Sequence, residues 1–314
     1  MIELIGAPFD LCGPRPGSRL GPAAVRFANI AQTLSEFAPT IDGGDANVCL
    51  ESDEPGSIRH FGALIETLRP LRQRVLGSLK AGHLPIMVGG DHSLSMASVS
   101  AAFTEFGDDL VVRWIDAHGD LNLPSESHSG NAHGMPIAAL TGETTPAGSP
   151  FAKDWMAILD LLGKPKIRPD RLAWIGLRDL DASEQARIAR FDGCLPITMH
   201  HLDRYGIAEA TVKLDAWLRG NKATRLWISF DVDVFDPVLA PGTGTTVRGG
   251  LTFREGHLLA ELLHELLAAP GCPYRLVGLD VVEVNPLIDE KNATATMAVD
   301  WLASLFGKSI LGGK

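Results

Sequence analysis

Acidic and histidine-rich clusters follow three short apolar runs of the sequence. They are Gly89-Gly90-Asp91-His92-Ser93, Asp116-Ala117-His118-Gly119-Asp120 and Asp231-Val232-Asp233. In the second and third clusters the carboxylates and the imidazole are spaced by two residues. Side chains spaced by two project to the same side of an extended chain, so each cluster directs several oxygen or nitrogen donors to one point. Such convergence is typical of a metal site, although a single Asp-x-Asp is more often a turn.

Repulsion among the carboxylates also favours a metal site. Four aspartates at the end of a buried sheet would in part hold protons unless cations neutralise them, and four negative charges balance two divalent ions. The predicted ligands are His92, Asp116, His118, Asp120, Asp231 and Asp233. Oxygen donors with two imidazoles suit Mn²⁺, and they do not exclude Fe, Co, Ni or Zn. Two ions that share carboxylates lie about 3.5–4 Å apart, close enough to share one water.

The elements that position these clusters are predicted by an alternation of short β-branched runs with longer segments of helical period. The predicted strands are Ile2–Gly6, Leu84–Val88, Leu110–Ile115, Leu172–Ile175, Leu195–Thr198, Thr224–Phe230 and Arg275–Val281. The predicted helices are Pro22–Phe37, Ile58–Lys80, Leu94–Phe106, Ala182–Phe191, Leu202–Leu218, Arg254–Ala268 and Ala293–Phe306. This alternation indicates a parallel α/β sheet, in which ligands bind at the carboxyl edge. All three clusters follow strands and therefore meet at that edge.

Three long loops, 116–135, 142–169 and 236–252, interrupt the alternation. Long loops in compact domains tend to carry function, and two of these three adjoin the acidic clusters. No fixed-period repeat, low-complexity tract or linker-like change of composition divides the chain. We therefore expect one domain over residues 1–314.

The composition excludes several classes of protein. The 314 residues are 45% hydrophobic and 21% charged, as in ordinary globular proteins. No apolar run reaches the roughly 18 residues that a membrane span requires. A net charge of −10 repels nucleic acid and anionic lipid and favours a small cationic ligand. The four cysteines form no Cys-x-x-Cys pair, and the first residues lack the pattern of a secretory signal, so we expect a cytoplasmic location.

Glycine-rich segments do not match a nucleotide site. Gly242-Thr243-Gly244 lacks the third glycine of a dinucleotide fingerprint, and Gly307-Lys308-Ser309 follows Leu302 where a P-loop requires glycine. His264-Glu265 begins like a zinc-protease helix, but Ala268 stands at the position of the second histidine. The sequence therefore disfavours a nucleotide-dependent oxidoreductase.

Five motifs resemble those of the ureohydrolase family of arginases and agmatinases, and most of all those of the bacterial arginases. They are GGDHS at 89–93, DAHGDLN at 116–122, SGNAHG at 129–134, SFDVD at 229–233 and EVNP at 283–286. The resemblance runs from Ile5-Gly6-Ala7-Pro8 to Asp289-Glu290-Lys291-Asn292, nearly the whole length. It implies a three-layer α/β/α fold around an eight-stranded parallel sheet, one strand more than the pattern predicts. It also implies two Mn²⁺ ions per subunit and a homo-oligomer, either a trimer or a hexamer.

The resemblance further implies hydrolysis of a guanidino compound to urea by a hydroxide that bridges the two metals. It assigns four ligands to each metal, with Asp116 and Asp231 shared between them. The first metal takes His92, Asp116, Asp120 and Asp231, and the second takes Asp116, His118, Asp231 and Asp233.

Three residues have catalytic roles by the same resemblance. Asp120 accepts the proton of the nucleophile and delivers it toward the leaving amine. Glu283 binds the guanidinium by a two-pronged ionic pair, which is the strong geometry for such a group. His133 carries a proton between solvent and the departing ornithine amine, because imidazole titrates in the useful range.

Recognition of the other end of the substrate is also implied. Neutral donors would bind the α-carboxylate of arginine, and acids would bind its α-ammonium. The neutral donors are Asn122, Ser127, Ser129 and Asn131, and the acids are Asp181 and Glu184. The two acids also fit a helix N-cap and first turn, which is compatible with substrate binding. We expect conversion of L-arginine to L-ornithine and urea. The alternatives are agmatine, guanidinobutyrate or N-hydroxy-arginine as substrate, and a catalytically silent metal-containing scaffold.

A few positions depart from the family pattern. Thr246 stands where the family often has proline, and Val234-Phe235 replaces a small residue followed by leucine. Glu126 and His128 are unusual before Ser129. A carboxylate at position 126 that pointed inward would repel the carboxylate of the substrate, so Glu126 is expected to face solvent. These departures leave the predicted metal ligands intact.

Overall fold

The computed structural model describes residues 1–51, 58–164 and 166–309. Within these ranges the strands are β1 (Ile2–Ala7), β2 (Thr40–Asp45), β3 (Leu84–Gly89), β4 (Leu110–Ile115), β5 (Leu172–Leu177), β6 (Leu195–Thr198), β7 (Arg225–Asp231) and β8 (Arg275–Val282). They form one parallel sheet in the order β2-β1-β3-β8-β7-β4-β5-β6. The α-helices of the same ranges are α1 (Gly21–Phe27), α2 (Ile30–Ser35), α3 (Phe61–Lys80), α4 (Ser95–Phe106), α5 (Pro136–Thr141), α6 (Ala152–Leu162), α7 (Ala182–Arg190), α8 (Met199–Asn221), α9 (Phe253–Ala268) and α10 (Ala293–Leu305).

Helices cover both faces of the sheet, which gives three layers. In strand β4 the side chains of Val111 and Ile115 enter one apolar cluster, together with residues of α1, α2, α8, α9 and α10. Leu110, Val112 and Trp114 enter the opposite cluster, with residues of α3, α4, α5 and α6. This alternation follows from the two-residue repeat of a strand that is buried on both faces. The predicted three-layer α/β/α fold is confirmed.

The seven strands predicted from the sequence are confirmed, each to within two residues at either end. The eighth strand, implied by resemblance alone, is β2, whose sequence is Thr-Ile-Asp-Gly-Gly-Asp. It pairs only with β1 and is largely exposed at the edge of the sheet. An edge strand buries little, so it does not need the apolar run that reveals an interior strand.

Two predictions about the segments between strands are wrong. The predicted helix Pro22–Phe37 is divided into α1 and α2, because Asn29 adopts a left-handed conformation with φ 64°. The predicted loop 142–169 contains α6. This helix buries the side chains of Trp155, Ile158, Leu159 and Leu162, a spacing that matches one face of a helix. The remaining predicted helices are present with shifted ends, as for α8, which extends beyond Leu202–Leu218 at both ends.

The central strands place the sequence clusters together. Strands β3, β8, β7 and β4 are neighbours in that order, and their carboxyl ends lie at one edge. The register pairs Ile115 with Phe230, so the next residues, Asp116 and Asp231, lie side by side. No helix in the described part of the chain is both long and apolar enough to cross a membrane.

Candidate metal centre

His92 lies at the centre of the first group of donor atoms. It belongs to a short 3₁₀ turn that follows β3, and its side chain is 1% exposed. Its Nδ1 atom lies 3.1 Å from Oδ2 of Asp116, 2.9 Å from Oδ2 of Asp120 and 3.1 Å from Oδ2 of Asp231. Four predicted ligands from three separate segments therefore converge on one point.

His118 organises a second group beside the first. Its Nδ1 atom lies 3.3 Å from Oδ1 of Asp116 and 3.0 Å from Oδ2 of Asp233. Asp116 thus presents one oxygen to each group, as a bridging carboxylate does. Asp231 presents Oδ2 to the first group, while its Oδ1 accepts the backbone N–H of Asp233 at 2.8 Å. The shared role of Asp231 stays a prediction.

The buried donor atoms fit a divalent metal ion. Nδ1 of His92 and Oδ2 of Asp120 are buried, and neither has a hydrogen-bond partner among the described residues, although they lie 2.9 Å apart. In folded proteins, the large majority of buried polar atoms have a hydrogen-bond partner. Imidazole and carboxylate are ligands that divalent metals such as Mn²⁺, Fe²⁺ and Zn²⁺ accept. A cation between these atoms would complete their coordination.

The electrostatics of the carboxylates also favours bound cations. Burial and the charge of Asp116 raise the pKa of Asp120 to about 6. Burial, with the charges of Asp233 and Asp116, raises the pKa of Asp231 well above its usual range. Burial and the charge of Asp116 also raise the pKa of Asp233. Carboxylates that resist ionisation together become stable as anions when divalent cations lie between them.

Two residues that orient His92 were missed by the sequence reasoning. The indole of Trp114 donates to Oδ2 of Asp116 at 3.0 Å, and its ring stacks on His92 with centroids 4.3 Å apart. The hydroxyl of Ser229 lies 2.9 Å from Nε2 of His92, which leaves Nδ1 to face the carboxylates. Such outer partners fix the orientation of metal-binding histidines. Trp114 and Ser229 precede Asp116 and Asp231 by two residues, so the spacing rule that found the ligands could have found them.

Thr245 and the backbone of two functional positions complete the centre. The hydroxyl of Thr245 donates to Oδ2 of Asp233 at 2.9 Å. Thr245 directly precedes Thr246, which stands where the family often has proline. Asp120 and Glu283 have positive φ angles of 51° and 64°, which are unfavourable for residues other than glycine. Strain of this kind is concentrated at functional sites, where surrounding structure enforces it.

A cavity of about 230 Å³ opens above the donor atoms. Its lining includes predicted metal ligands, predicted substrate contacts and His133 together. The predicted site residues that line it are His118, Asp120, Asn122, Ser127, Ser129, Asn131, His133, Asp181, Glu184 and Asp231. His92, Asp116 and Asp233 lie beneath it and are at most 1% exposed. The structure thus brings the two predicted ends of the site to one cleft.

Glu283 lies behind the cavity and contacts His133. Its side chain is 2% exposed, and Oε1 accepts the backbone N–H of His92 at 2.9 Å. The same oxygen lies 3.3 Å from Nδ1 of His133. Burial opposes protonation of His133, but the hydrogen bond and charge of Glu283 prevail and raise its pKa. Direct binding of a guanidinium by Glu283 stays a prediction.

The acids of the predicted ammonium site begin helix α7. Asp181 and Glu184 form a capping box, in which each side chain accepts a backbone N–H of the other residue. Glu184 also accepts the N–H of Leu121 at 2.9 Å, and burial raises its pKa to about 7. Nδ2 of Asn122 donates to Asp181 at 2.8 Å. The loop after Asp120 is therefore hydrogen-bonded directly to the start of α7.

The predicted carboxylate site is a compact polar turn. The hydroxyls of Ser127 and Ser129 lie 3.4 Å apart, and they accept the N–H groups of Gly130 and Asn131 at 3.0 and 3.2 Å. Glu126 does not line the cavity, but it faces solvent only in part, with 32% of its side chain exposed. Its carboxylate accepts two hydrogen bonds from the buried guanidinium of Arg187, a residue 61 positions away.

A parallel α/β sheet with this cluster at its carboxyl edge is the arrangement that the sequence motifs imply for a hydrolase of the ureohydrolase type. The sequence matches the model of the Arginase family over residues 1–307, and the chain belongs to the arginase family. It is 36% identical to an arginase of Staphylococcus aureus over 316 residues, which cover 99% of this chain and 98% of that protein.

Solved structures of arginases share the fold. The arginase of Bacillus caldovelox superposes with a TM-score of 0.87 at 36% identity, covering 98% of this chain and 99% of that one. The arginase of Bacillus subtilis superposes with a TM-score of 0.85 at 34% identity, covering 99% of both chains.

Proposed function

We propose that this protein is a binuclear manganese arginase that hydrolyses L-arginine to L-ornithine and urea. One observation carries the proposal. Six imidazole and carboxylate side chains converge at the base of a cleft whose upper wall combines neutral hydrogen-bond donors with two acids. Such a cleft complements a guanidino group at its base and an α-amino acid at its mouth.

The two groups of donor atoms support two divalent ions. His92, Asp116, Asp120 and Asp231 would hold one, and His118 and Asp233 would hold the other together with the shared carboxylates. Oxygen-rich ligands with imidazole favour Mn²⁺ when it is supplied. Two ions there would neutralise the carboxylates and acidify a shared water enough for it to attack a guanidinium carbon near neutral pH.

Asp120 and His133 are suited to move protons during the reaction. Asp120 lines the cleft, so the carboxylate oxygen that does not hold the metal can accept the proton of the nucleophile. His133 lines the same cleft and is held by Glu283 through Nδ1, with a raised pKa. The protonated imidazole can then donate to the leaving amine.

The mouth of the cleft favours an α-amino acid over its simpler analogues. Ser129 and Asn131 are uncharged and face a carboxylate without repelling it. Asp181 and Glu184 line the same cleft and offer carboxylates to an ammonium group. Agmatine lacks the carboxylate and guanidinobutyrate lacks the ammonium, so each leaves one side of the mouth unpaired.

Urea release from four compounds tests the proposal. The purified protein is loaded with Mn²⁺ and given L-arginine, agmatine, 4-guanidinobutyrate and N-hydroxy-L-arginine in turn. We expect kcat/KM for L-arginine to exceed that for agmatine by about 100-fold or more, because agmatine leaves the hydrogen-bonding groups of the carboxylate side without a partner. A preference for any of the other three compounds would overturn the choice of substrate.

We infer one domain over residues 1–314, a cytoplasmic location and a trimer or hexamer. Light scattering on the protein as it elutes from a size-exclusion column measures its mass directly. A monomer at micromolar concentration would contradict the trimer or hexamer.

A further inference from the structure

Arg187 joins three parts of the chain beneath the site. It lies on α7, and its side chain is only 5% exposed. Nη2 donates to both oxygens of Glu126 at 2.9 Å, and Nη1 donates to the carbonyl of Leu121 at 2.6 Å. Nε donates to Glu143 at 3.1 Å. A guanidinium held by this many bonds fixes residues 121–126 firmly against α7.

These bonds connect the two halves of the predicted amino-acid site. Residues 121–126 lie between the ligand Asp120 and the polar turn that begins at Ser127. Asp181 caps the N-terminus of helix α7, and the helix carries Glu184, which lies one helical turn before Arg187 on the same face. The distance between the carboxylate half and the ammonium half therefore depends on the bonds of Arg187, together with those that Leu121 and Asn122 make to Glu184 and Asp181.

Charge neutralisation is a second consequence of the contact. Glu126 precedes Ser127 directly, and an unpaired carboxylate there would repel a substrate carboxylate at the neighbouring hydroxyls. The paired guanidinium removes most of that repulsion. Glu126 also accepts the N–H of Leu123, which keeps its side chain within the turn and away from the cleft.

We propose that Glu126 and Arg187 form a positioning pair that sets the affinity of the site for ligands with an α-carboxylate. This proposal rests on the proposed function, because it names the chemistry that the same cleft prefers. Among the described residues that line the cleft, neither member of the pair is present. The pair acts through the turn that it holds and through the charge that it cancels.

The affinities of the protein for two amines distinguish a role in carboxylate binding from a general effect on stability. L-ornithine carries the α-carboxylate, whereas putrescine lacks it. Calorimetry on the manganese-loaded protein gives both dissociation constants. We expect Arg187→Met to weaken L-ornithine about tenfold and putrescine less than about twofold, since it leaves Glu126 unpaired. The KM for L-arginine should rise by about the same factor while kcat stays within about twofold.

The double variant gives the sharpest outcome. Glu126→Gln with Arg187→Met removes both charges, so L-ornithine should bind about threefold more weakly than to the parent, and more tightly than to Arg187→Met alone. Equal loss for both amines, or a double variant that binds no better than Arg187→Met, would overturn the proposal.

Arg190→Met is the matched control. Arg190 lies on the same helix and also pairs with Glu143, but its side chain is 58% exposed and, in the described part of the chain, hydrogen-bonds to neither Glu126 nor Leu121. It should leave both dissociation constants unchanged. If Arg187→Met does not fold, Arg187→Lys and Glu126→Gln provide the test. The lysine variant retains the charge but not the hydrogen bonds to both oxygens of Glu126, so it should weaken L-ornithine by about threefold and putrescine by less than about twofold. Equal loss for both amines in either variant would count against the pair.

Hydrogen exchange separates failure of the pair from failure of the proposed function. If the parent releases no urea from L-arginine, the proposed function fails whatever the variants do. Amide exchange over residues 121–131 still reports on the pair, because Arg187→Met should accelerate it and Arg190→Met should not. Unchanged exchange in Arg187→Met would overturn the pair even in an active arginase.

Discussion

Two regions along strand β4 bury polar side chains that lack hydrogen-bond partners among the described residues. At the carboxyl end, Asp116 meets His92 and Asp120, whose unpartnered atoms lie 2.9 Å from each other. In the middle of the strand, Arg113 is 1% exposed, and Nε, Nη1 and Nη2 all lack acceptors. Its register partners are Ala173 and Ile228, both in the apolar core.

The difference lies in what surrounds each unpartnered group. At the carboxyl end, donors of a metal-binding type converge, so an added cation gains several ligands at once. At Arg113, burial lowers the pKa to about 9, which keeps the guanidinium charged at neutral pH without a carboxylate beside it. The first region indicates a ligand, and the second indicates a cost in stability. Incomplete hydrogen bonding becomes informative about function only when complementary groups face each other.

Removing a central carboxylate should disrupt metal binding at the carboxyl end of β4. We expect Asp231→Asn to lower kcat/KM for L-arginine by about 1,000-fold or more, because it removes a charge that holds the metals. Bound manganese, measured by elemental analysis, should fall below the parent value. The control is Asp236→Asn, since the carboxylate of Asp236 accepts the backbone N–H groups of Val238 and Gly249 and is not among the predicted metal ligands. Parent-like metal content and turnover in Asp231→Asn would remove the basis for its ligand role.

Metal removal should affect stability through the same region. Ligand binding to the folded state alone stabilises it by about 4 kcal/mol at 1,000 times the dissociation constant. We therefore expect chelation to lower the melting temperature strongly and re-addition of Mn²⁺ to restore it, as measured by calorimetry. Asp231→Asn should show a much smaller response. Identical melting curves with and without metal would contradict the convergence of the donors on a cation.

His133 distinguishes proton transfer from metal binding. We expect His133→Ala to retain its metal and to lose about 100-fold in kcat, the usual contribution of a general acid. Small imidazole buffers should restore part of the rate. Since Glu283 raises the pKa of His133, protonation should persist to higher pH than for an ordinary histidine. Turnover equal to that of the parent would exclude the role.

Substitution of Arg113 should stabilise the protein, whereas loss of the metal should destabilise it. Replacing a buried charge that lacks a partner by an apolar side chain of similar size is often stabilising, so Arg113→Met should raise the free energy of unfolding by about 1 kcal/mol. Arg171→Met is the control, because Nη1 of Arg171 donates to the carbonyl of Asn221 at 2.8 Å and its removal should destabilise. Urea denaturation measures both. Destabilisation by Arg113→Met would contradict the comparison.

Local sequence patterns predict much of the fold and of the candidate site. The two-residue spacing of Asp116, His118 and Asp120 predicts that they share one direction if the chain is extended. Their side chains do lie together, but on a chain that bends after Ile115 and has a φ of 51° at Asp120. Trp114 and Ser229 had the same spacing, but an indole and a hydroxyl do not suggest a metal site by themselves. Strand β2 gave no signal, since an exposed edge needs no apolar run.

Contacts between distant segments could not be predicted in this way. The bond between Glu126 and Arg187 joins residues separated by two helices and a strand, so no spacing in the sequence indicates it. Helix α6 is a different case, because the spacing of Trp155, Ile158 and Leu162 was helical within a segment interpreted as a loop. A helix of 11 residues among turn-forming residues is easily missed.

Anomalous diffraction from crystals grown with Mn²⁺ tests the central claim most directly. The account predicts two manganese peaks about 3.5–4 Å apart, one beside His92 and the other beside His118, with Asp116 between them. A well-ordered map with no peak at either histidine, at a manganese concentration that supports full activity, would contradict it.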